Sequence, residues 1–332
     1  MDVGERSVSA VITNYNYGQF LGECVESALA QTRSLHEIIV IDDGSTDDSL
    51  RVLASFGARI RVIRTTHSGQ ARSLARGIEQ CEGDVVCLLD ADDAWHPGKV
   101  DCVLDVFQAH PRVQWVRHAL EVVDGKGRSL GPTVPDIPRD APVPPRAQPI
   151  IERTLTAATS GFSLRRDIAR RALPLVAQPI GFAGDVSLSW DADAYLLARL
   201  TGLGAWGYSL AAALGWYRRH DAQQFVGSDD LLRLVERQIA VGRVLVEVLG
   251  TAPGSAVAEH KHRLIAATLR GQPVLHKERI GHGRRGLGAA LRAFQIEPGL
   301  GLRQLGALGL AFLAPGLWLQ RLKDRQALGD TS

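Results

Sequence analysis

The sequence predicts an α/β fold, a doubly wound parallel sheet with helices on both faces. Three observations predict it. Short β-branched apolar runs alternate with stretches of helical periodicity over the first hundred residues, the pattern of successive βαβ units. Those runs are close to continuously apolar, as strands buried on both faces are. Three of them end in polar groups: Thr13-Asn14-Tyr15, Asp42-Asp43-Gly44-Ser45 and Asp90-Ala91-Asp92-Asp93. Ligands in such sheets bind outside the carboxyl ends of the strands, so the three ends should line one crevice.

The elements follow in order. SVSAVIT (7–13) is the first strand. GQFLGECVESALAQT (18–32) is a helix, with Phe20, Leu21, Cys24, Val25, Ala28 and Leu29 at helical spacing. EIIVID (37–42) is the second strand. STDD, at 45–48, reads as a capping-box variant opening the next helix, with Asp48 where Glu or Gln is usual. RIRVIR (59–64) is the third strand, SGQARSLARGIEQC (68–81) a helix and DVVCLLD (84–90) the fourth strand. Pro97 suits the first turn of the following helix. Residues 113–130 read as a β-hairpin turning at Asp124-Gly125. Residues 131–149 hold seven of the fifteen prolines and read as an irregular surface segment. From 229 to 270 the pattern is mostly helical.

Bulk properties exclude several classes. A net charge of +2 over 332 residues gives no electrostatic footprint for nucleic acid. Cys24, Cys81, Cys87 and Cys102 form no CxxC pair, so they read as small buried hydrophobes in a reducing cytoplasm. The opening MDVGERSVS carries no apolar signal segment. No apolar run reaches the roughly 18 residues of a membrane span. LGALGLAFLAPGLWL (305–319), followed by Arg321, Lys323 and Arg325, suits an interfacial helix at lipid headgroups. A helix packed on the rest of the chain, or a homodimer contact, are the other readings of 305–325.

The LLDADD stretch carries the chemistry. Two carboxylates one residue apart at a strand end can hold Mg²⁺ or Mn²⁺, which take one or two carboxylates plus substrate phosphates. The plainer alternative is a loop whose acids cap the next helix. A phosphatase of the haloacid dehalogenase type also uses Asp-x-Asp, but it wants Thr or Val two positions after the second Asp. Here Asp93 and Ala94 follow Asp92. Asp43 can accept hydrogen bonds from a base or ribose, Gly44 permits a tight turn, and Tyr15 can stack or simply pack.

TNYNYGQFLGECVESALAQT, IIVIDDGSTDDS and SGQARSLARGIEQCEGDVVCLLDADDAW together resemble the N-terminal half of a family 2 glycosyltransferase. The resemblance implies the GT-A fold, inversion at the anomeric carbon, a nucleotide-sugar donor and Mg²⁺ or Mn²⁺. It implies a nucleotide-sugar set of Thr13, Asn14, Tyr15, Asp43, Gly69, Arg72, Asp90, Ala91, Asp92, Arg218 and His220. Asp90 and Asp92 would be the metal-binding pair, with His220 a further ligand. SWDADAYLLARLTGLG (189–204) resembles the family's Glu-Asp motif, with its Asp at Asp193 and its Glu at Ala192. Asp193 is therefore the implied base, and Asp191 is the acid that compensates for Ala192 or replaces Asp193. The family's Asn two positions before the Gly77-Ile78 pair is Ala75 here, a contact that Arg72 could supply.

The implied organisation is a GT-A catalytic domain over 1–226, with a donor half (7–125) and an acceptor half (150–226). A helical C-terminal region over 227–332 completes it. A UDP-sugar is the default donor, with dTDP- or GDP-sugars as alternatives. The acceptor is a glycan, lipid-linked or peptide hydroxyl, and the location is cytoplasmic or the inner face of the membrane. An inactive nucleotide-sugar-binding relative is the non-enzyme alternative.

Overall fold

The computed structural model describes residues 6–145, 158–173, 175 and 192–220. The chain divides into two units, Met1–Gly181 with Ser187–Val226, and Phe182–Val186 with Gly227–Ser332. Every described residue lies in the first. The expected C-terminal helical region and the 305–325 helix lie outside the described residues, as does Asp191. No helix among the described residues is long and apolar enough to cross a membrane.

Four parallel strands form the first half of the sheet: β1 (Val8–Asn14), β2 (Glu37–Asp42), β3 (Arg61–Arg64) and β4 (Val85–Asp90). Between them run α1 (Gly18–Leu29), α2 (Ser49–Ala54) and α3 (Gln70–Gln80). The order β3-β2-β1-β4 reverses direction between β1 and β4, which makes that gap the topological switch point. Thr13 lies opposite Ile41 on one side and Asp90 on the other, so the polar strand ends are level.

β5 (Ala94–Trp95) and α4 (Lys99–Ala109) follow, then β6 (Trp115–Asp124), β7 (Ser129–Val134) and β8 (Ala141–Val143). β9 (Phe162–Arg165), α5 (Arg166–Arg171), α6 (Ala192–Gly202) and β10 (Gly207–Arg219) complete the described elements. The sheet continues past β4 as β9-β6-β10-β5. β9 is antiparallel to both β4 and β6, while β10 runs parallel to β6. This mixed half brings the end of β10 back beside the loop after β4.

Alternation along the strands divides the core. Ala10 and Ile12 of β1 pack with α1 and α4, whereas Val11 packs with α3, α5 and α6. α3 lies directly on β1: a Cβ at Gly77 would stand 2.2 Å from Val11 Cγ1.

Two local expectations are corrected. Asp48 does not cap α2; its carboxylate pairs with Arg51 at 2.8 Å in solvent. Asp47 takes the capping role, accepting from the backbone N–H of Ser49 (3.0 Å) and of Gly18 (2.8 Å). One carboxylate thus ties the starts of two helices. The proline-rich 131–149 stretch is also less irregular than expected, since β7 runs through Pro132 and β8 contains Pro142. Each pairs on one side, β7 with β6 and β8 with β10, and a strand with a free edge tolerates a missing N–H.

Candidate active site

The loop after β4 is held from three directions. Ala91 N–H donates to Thr13 O (3.1 Å), which keeps the loop level with the end of β1. The Asp90 carboxylate accepts from Thr13 Oγ1 (3.0 Å) and Gln70 Nε2 (2.7 Å), using one oxygen for both. Ser160, in the turn before β9, accepts from Asp90 N–H (3.0 Å) and donates to Asp93 Oδ2 (2.6 Å). From β10, Arg218 N–H donates to Asp93 Oδ1 (3.0 Å) and Arg218 Nε to the Asp92 carbonyl (3.0 Å). The same guanidinium reaches Glu23 of α1 at 2.6 Å and lies over the Phe20 ring.

Asp92 and His220 meet here. His220 Nε2 is 3.2 Å from Asp92 Oδ2, with both side chains less than a tenth exposed. His220 Nδ1 is buried and has no hydrogen-bond partner among the described residues. Phe20 and Tyr17 of the α1 end pack against the imidazole.

Carboxyls buried in low dielectric beside another negative charge resist ionisation. Burial, then the neighbouring Asp92 charge, pushes Asp90 up to about 7. Burial and the charges of Asp92 and Asp90 push Asp93 well above the usual carboxylate range. The Tyr217 phenol is raised by burial, then by the charges of Asp93, Asp92, Asp90 and Asp193. Asp193, in the first turn of α6, therefore lies within electrostatic reach of the same tyrosine as the acid loop.

A second cluster sits at the end of β2. The Asp43 carboxylate accepts from Thr65 Oγ1 (3.0 Å), Ser68 N–H (2.9 Å), Ser68 Oγ (3.1 Å) and Gly69 N–H (2.8 Å), and His67 Nδ1 lies 3.0 Å away. The Tyr15 ring stacks on His67, centroids 3.9 Å apart and planes inclined 24°. Asn14 is turned inward, its amide donating to Asp42 Oδ1 (2.9 Å) and Ser45 Oγ (3.1 Å).

Thr13, Asp90, Ala91, Asp92, Arg218 and His220 thus come together at the switch point, Ala91 through its backbone. Tyr15, Asp43 and Gly69 gather at the neighbouring strand end. Arg72 is exposed on α3, and Asn14 is buried at 2% exposure. Ala192 is buried in the core beside Leu196. Sequence reasoning missed Gln70, Ser160, Glu23 and His67. Glu23 alone left a signal, a charge inside the apolar spacing of α1.

A cation fits this arrangement in part. Among the described residues no three His, Cys, Asp or Glu side chains converge as a metal-holding group. Asp92 and His220 do converge, beside Asp90 and Asp93, whose carboxyls burial holds towards the neutral form. Mg²⁺ or Mn²⁺ can complete its shell with substrate phosphates and water, so a two-donor protein site is chemically sufficient.

Arg218 braces the loop from behind. Arg218→Ala should lower stability by about 1–3 kcal/mol, the usual cost of leaving a buried polar group unsatisfied. Urea unfolding of the two proteins checks this; an unchanged midpoint would show that the brace carries no load.

The sheet order, the switch-point acids and the mixed second half define a GT-A glycosyltransferase fold. Residues 9–170, just under half of the chain, match the family model described as glycosyl transferase family 2. An uncharacterised glycosyltransferase of Nostoc sp. is 33% identical over 176 residues, covering 51% of this chain and 53% of that protein. Chondroitin synthase of Escherichia coli is 38% identical over 126 residues, covering 37% of this chain and 18% of that protein. The chain therefore spans about half the length, or less, of these relatives. The crystal structure of S. aureus TarS 1–349 in complex with UDP-GlcNAc superposes with TM-score 0.61 at 14% identity, over 92% of this chain and 87% of that one. That likeness bears out the GT-A fold expected from the sequence.

Proposed function

We propose that the chain is an inverting, metal-dependent glycosyltransferase that moves a sugar from a nucleotide-sugar donor to an acceptor hydroxyl in polysaccharide assembly. The observation that carries this reading is the buried Asp92–His220 pair at the switch point, inside the stretch that matches the family 2 model. UDP-GlcNAc and UDP in the TarS structures support a UDP-sugar as the donor. The similarity to chondroitin synthase supports a growing glycan as the acceptor.

Asp92 and His220 would hold Mg²⁺ or Mn²⁺, which supplies Lewis-acid stabilisation of charge on the departing nucleoside diphosphate. Thr13 and Gln70 fix the Asp90 side chain, and Ser160 and Arg218 fix Asp93, so the acid loop is set before substrate arrives. Preset geometry of this kind lowers the reorganisation needed during reaction. Asp193 accepts the proton of the attacking hydroxyl as the bond to the anomeric carbon forms. The buried Ala192 cannot share that role.

A panel of UDP-, dTDP- and GDP-sugars with Mn²⁺ tests the reading through release of free nucleotide. We expect one nucleotide class to be released, and release to stop with EDTA. A chain that binds nucleotide but releases none under any condition would be an inactive relative instead.

A further inference from the structure

We propose that the outer face formed by α3 and α5 is a docking surface for anionic lipid headgroups. It concerns the outside of the helical layer over β1 and does not depend on the nucleotide-sugar reading.

The outer sides of these two helices are basic. α3 buries Ala71, Leu74, Ala75 and Ile78 against the sheet, which turns Arg72 and Arg76, one helical turn apart, outward. α5 buries Ile168 and Ala169 and turns Arg170 and Arg171 outward. Arg170 also ties the helices together, donating to the carbonyl of Cys81 just after α3 (2.9 Å), so the two outer faces run on into one. Arg72, Arg76 and Arg171 are exposed and make no hydrogen bond or ion pair among the described residues. Glu79 and Asp167 are the exposed acids on the same two helices. A guanidinium with no partner in the protein keeps its whole fork of donors for a phosphate.

The helical layer on the other face of the sheet has the opposite character. α1 carries Glu23 and Glu26, and α4 carries Asp101 and Asp105, with no arginine on either helix. Lys99 of α4 is fully buried, and Arg51 of α2 is paired with Asp48. The net charge of +2 therefore conceals a separation of charge across the sheet. A negatively charged plane reads that separation, attracting the α3/α5 face and repelling the other. Lipid is the occupant, and not an acidic glycan chain, because the arginines stand on the outward sides of two packed helices, where an extended plane of headgroups meets them together. Each arginine held at such a plane strengthens attachment roughly fivefold. Because α3 lies directly on β1, this contact lays the sheet along the membrane and leaves the crevice at the strand ends open to the side.

The test uses the full chain and co-sedimentation with two kinds of vesicle, phosphatidylcholine alone and an equimolar mixture of phosphatidylcholine and phosphatidylglycerol. We expect binding to the mixed vesicles only, weakening as salt shortens the reach of the charges. The triple variant Arg72→Gln/Arg76→Gln/Arg171→Gln should bind them roughly 100-fold more weakly. Arg72→Lys/Arg76→Lys/Arg171→Lys keeps the charge and should stay within about threefold of wild type. Arg51→Gln, on the other layer, should bind as wild type does. Unchanged binding of the Gln variant overturns the proposal, because another segment then holds the lipid. Equal binding to both vesicles overturns it too, since apolar insertion would then be the cause. So does equal weakness of the Gln and Lys variants, which would mean that something other than surface charge was lost. If wild type ignores both vesicles, the proposal fails, and binding of soluble chondroitin that the Gln variant loses would then assign the face to an acidic glycan.

Discussion

Asp92→Ala should abolish metal-dependent nucleotide binding and lower transfer by roughly 10³-fold or more, as loss of a Lewis acid worth several kcal/mol requires. The substitution is local. Arg218 Nε bonds the Asp92 backbone carbonyl, which alanine retains. Thr13, Gln70 and Ser160 hold Asp90 and Asp93 without Asp92. Removing the carboxylate also removes a charge that pushes both Asp90 and Asp93 upward. This relief opposes the cost of leaving the buried His220 Nε2 without its partner, so the protein should still fold while activity disappears. Manganese titration of UDP binding and a transfer assay check the two halves. Retention of metal dependence in the variant would exclude Asp92 as a ligand.

Asp193→Asn should lower kcat by about 10²- to 10⁴-fold, the usual contribution of a positioned general base. Donor affinity should change by less than about twofold, as expected of a base that acts on the acceptor hydroxyl. α6 sends Ala192, Leu196, Leu197 and Leu200 into the core, and the half-buried Asp193 stands at the first turn of that same face, one turn before Leu196 and Leu197. A charge in the first turn of a helix is worth about 0.3–1 kcal/mol against the macrodipole, so the variant should fold. Separate measurement of kcat and donor KM distinguishes base loss from misplacement. Full activity would transfer the role to another group, with Asp191 the first to test.

The parallel half of the sheet was legible because burial on both faces leaves continuous apolar runs, and EIIVID and DVVCLLD match β2 and β4 within a residue. The crevice was legible for the same reason: polar residues that abruptly end such runs have few structural uses. The supports of the site were not legible. Ser160 reaches Asp90 and Asp93 from about seventy residues away, and no local pattern marks it. No local pattern marks Lys99 either, yet it is fully buried, with its ammonium on Ser163 Oγ (2.9 Å) and over the Trp95 ring (3.9 Å). Asn14 and Asp43 read as crevice-lining groups because each stands at a strand end; their protein partners, Asp42 and Ser45 for Asn14 and Thr65, Ser68 and Gly69 for Asp43, left no local signal.

The most direct test is a thermal-shift screen of UDP, GDP, dTDP and CDP, each with and without Mn²⁺. Ligand that binds the folded state raises the apparent melting temperature by mass action. The account predicts a rise with one nucleotide, UDP first, that requires Mn²⁺ and vanishes in Asp92→Ala. A nucleotide shift of equal size with EDTA, or none with any of the four, would contradict it.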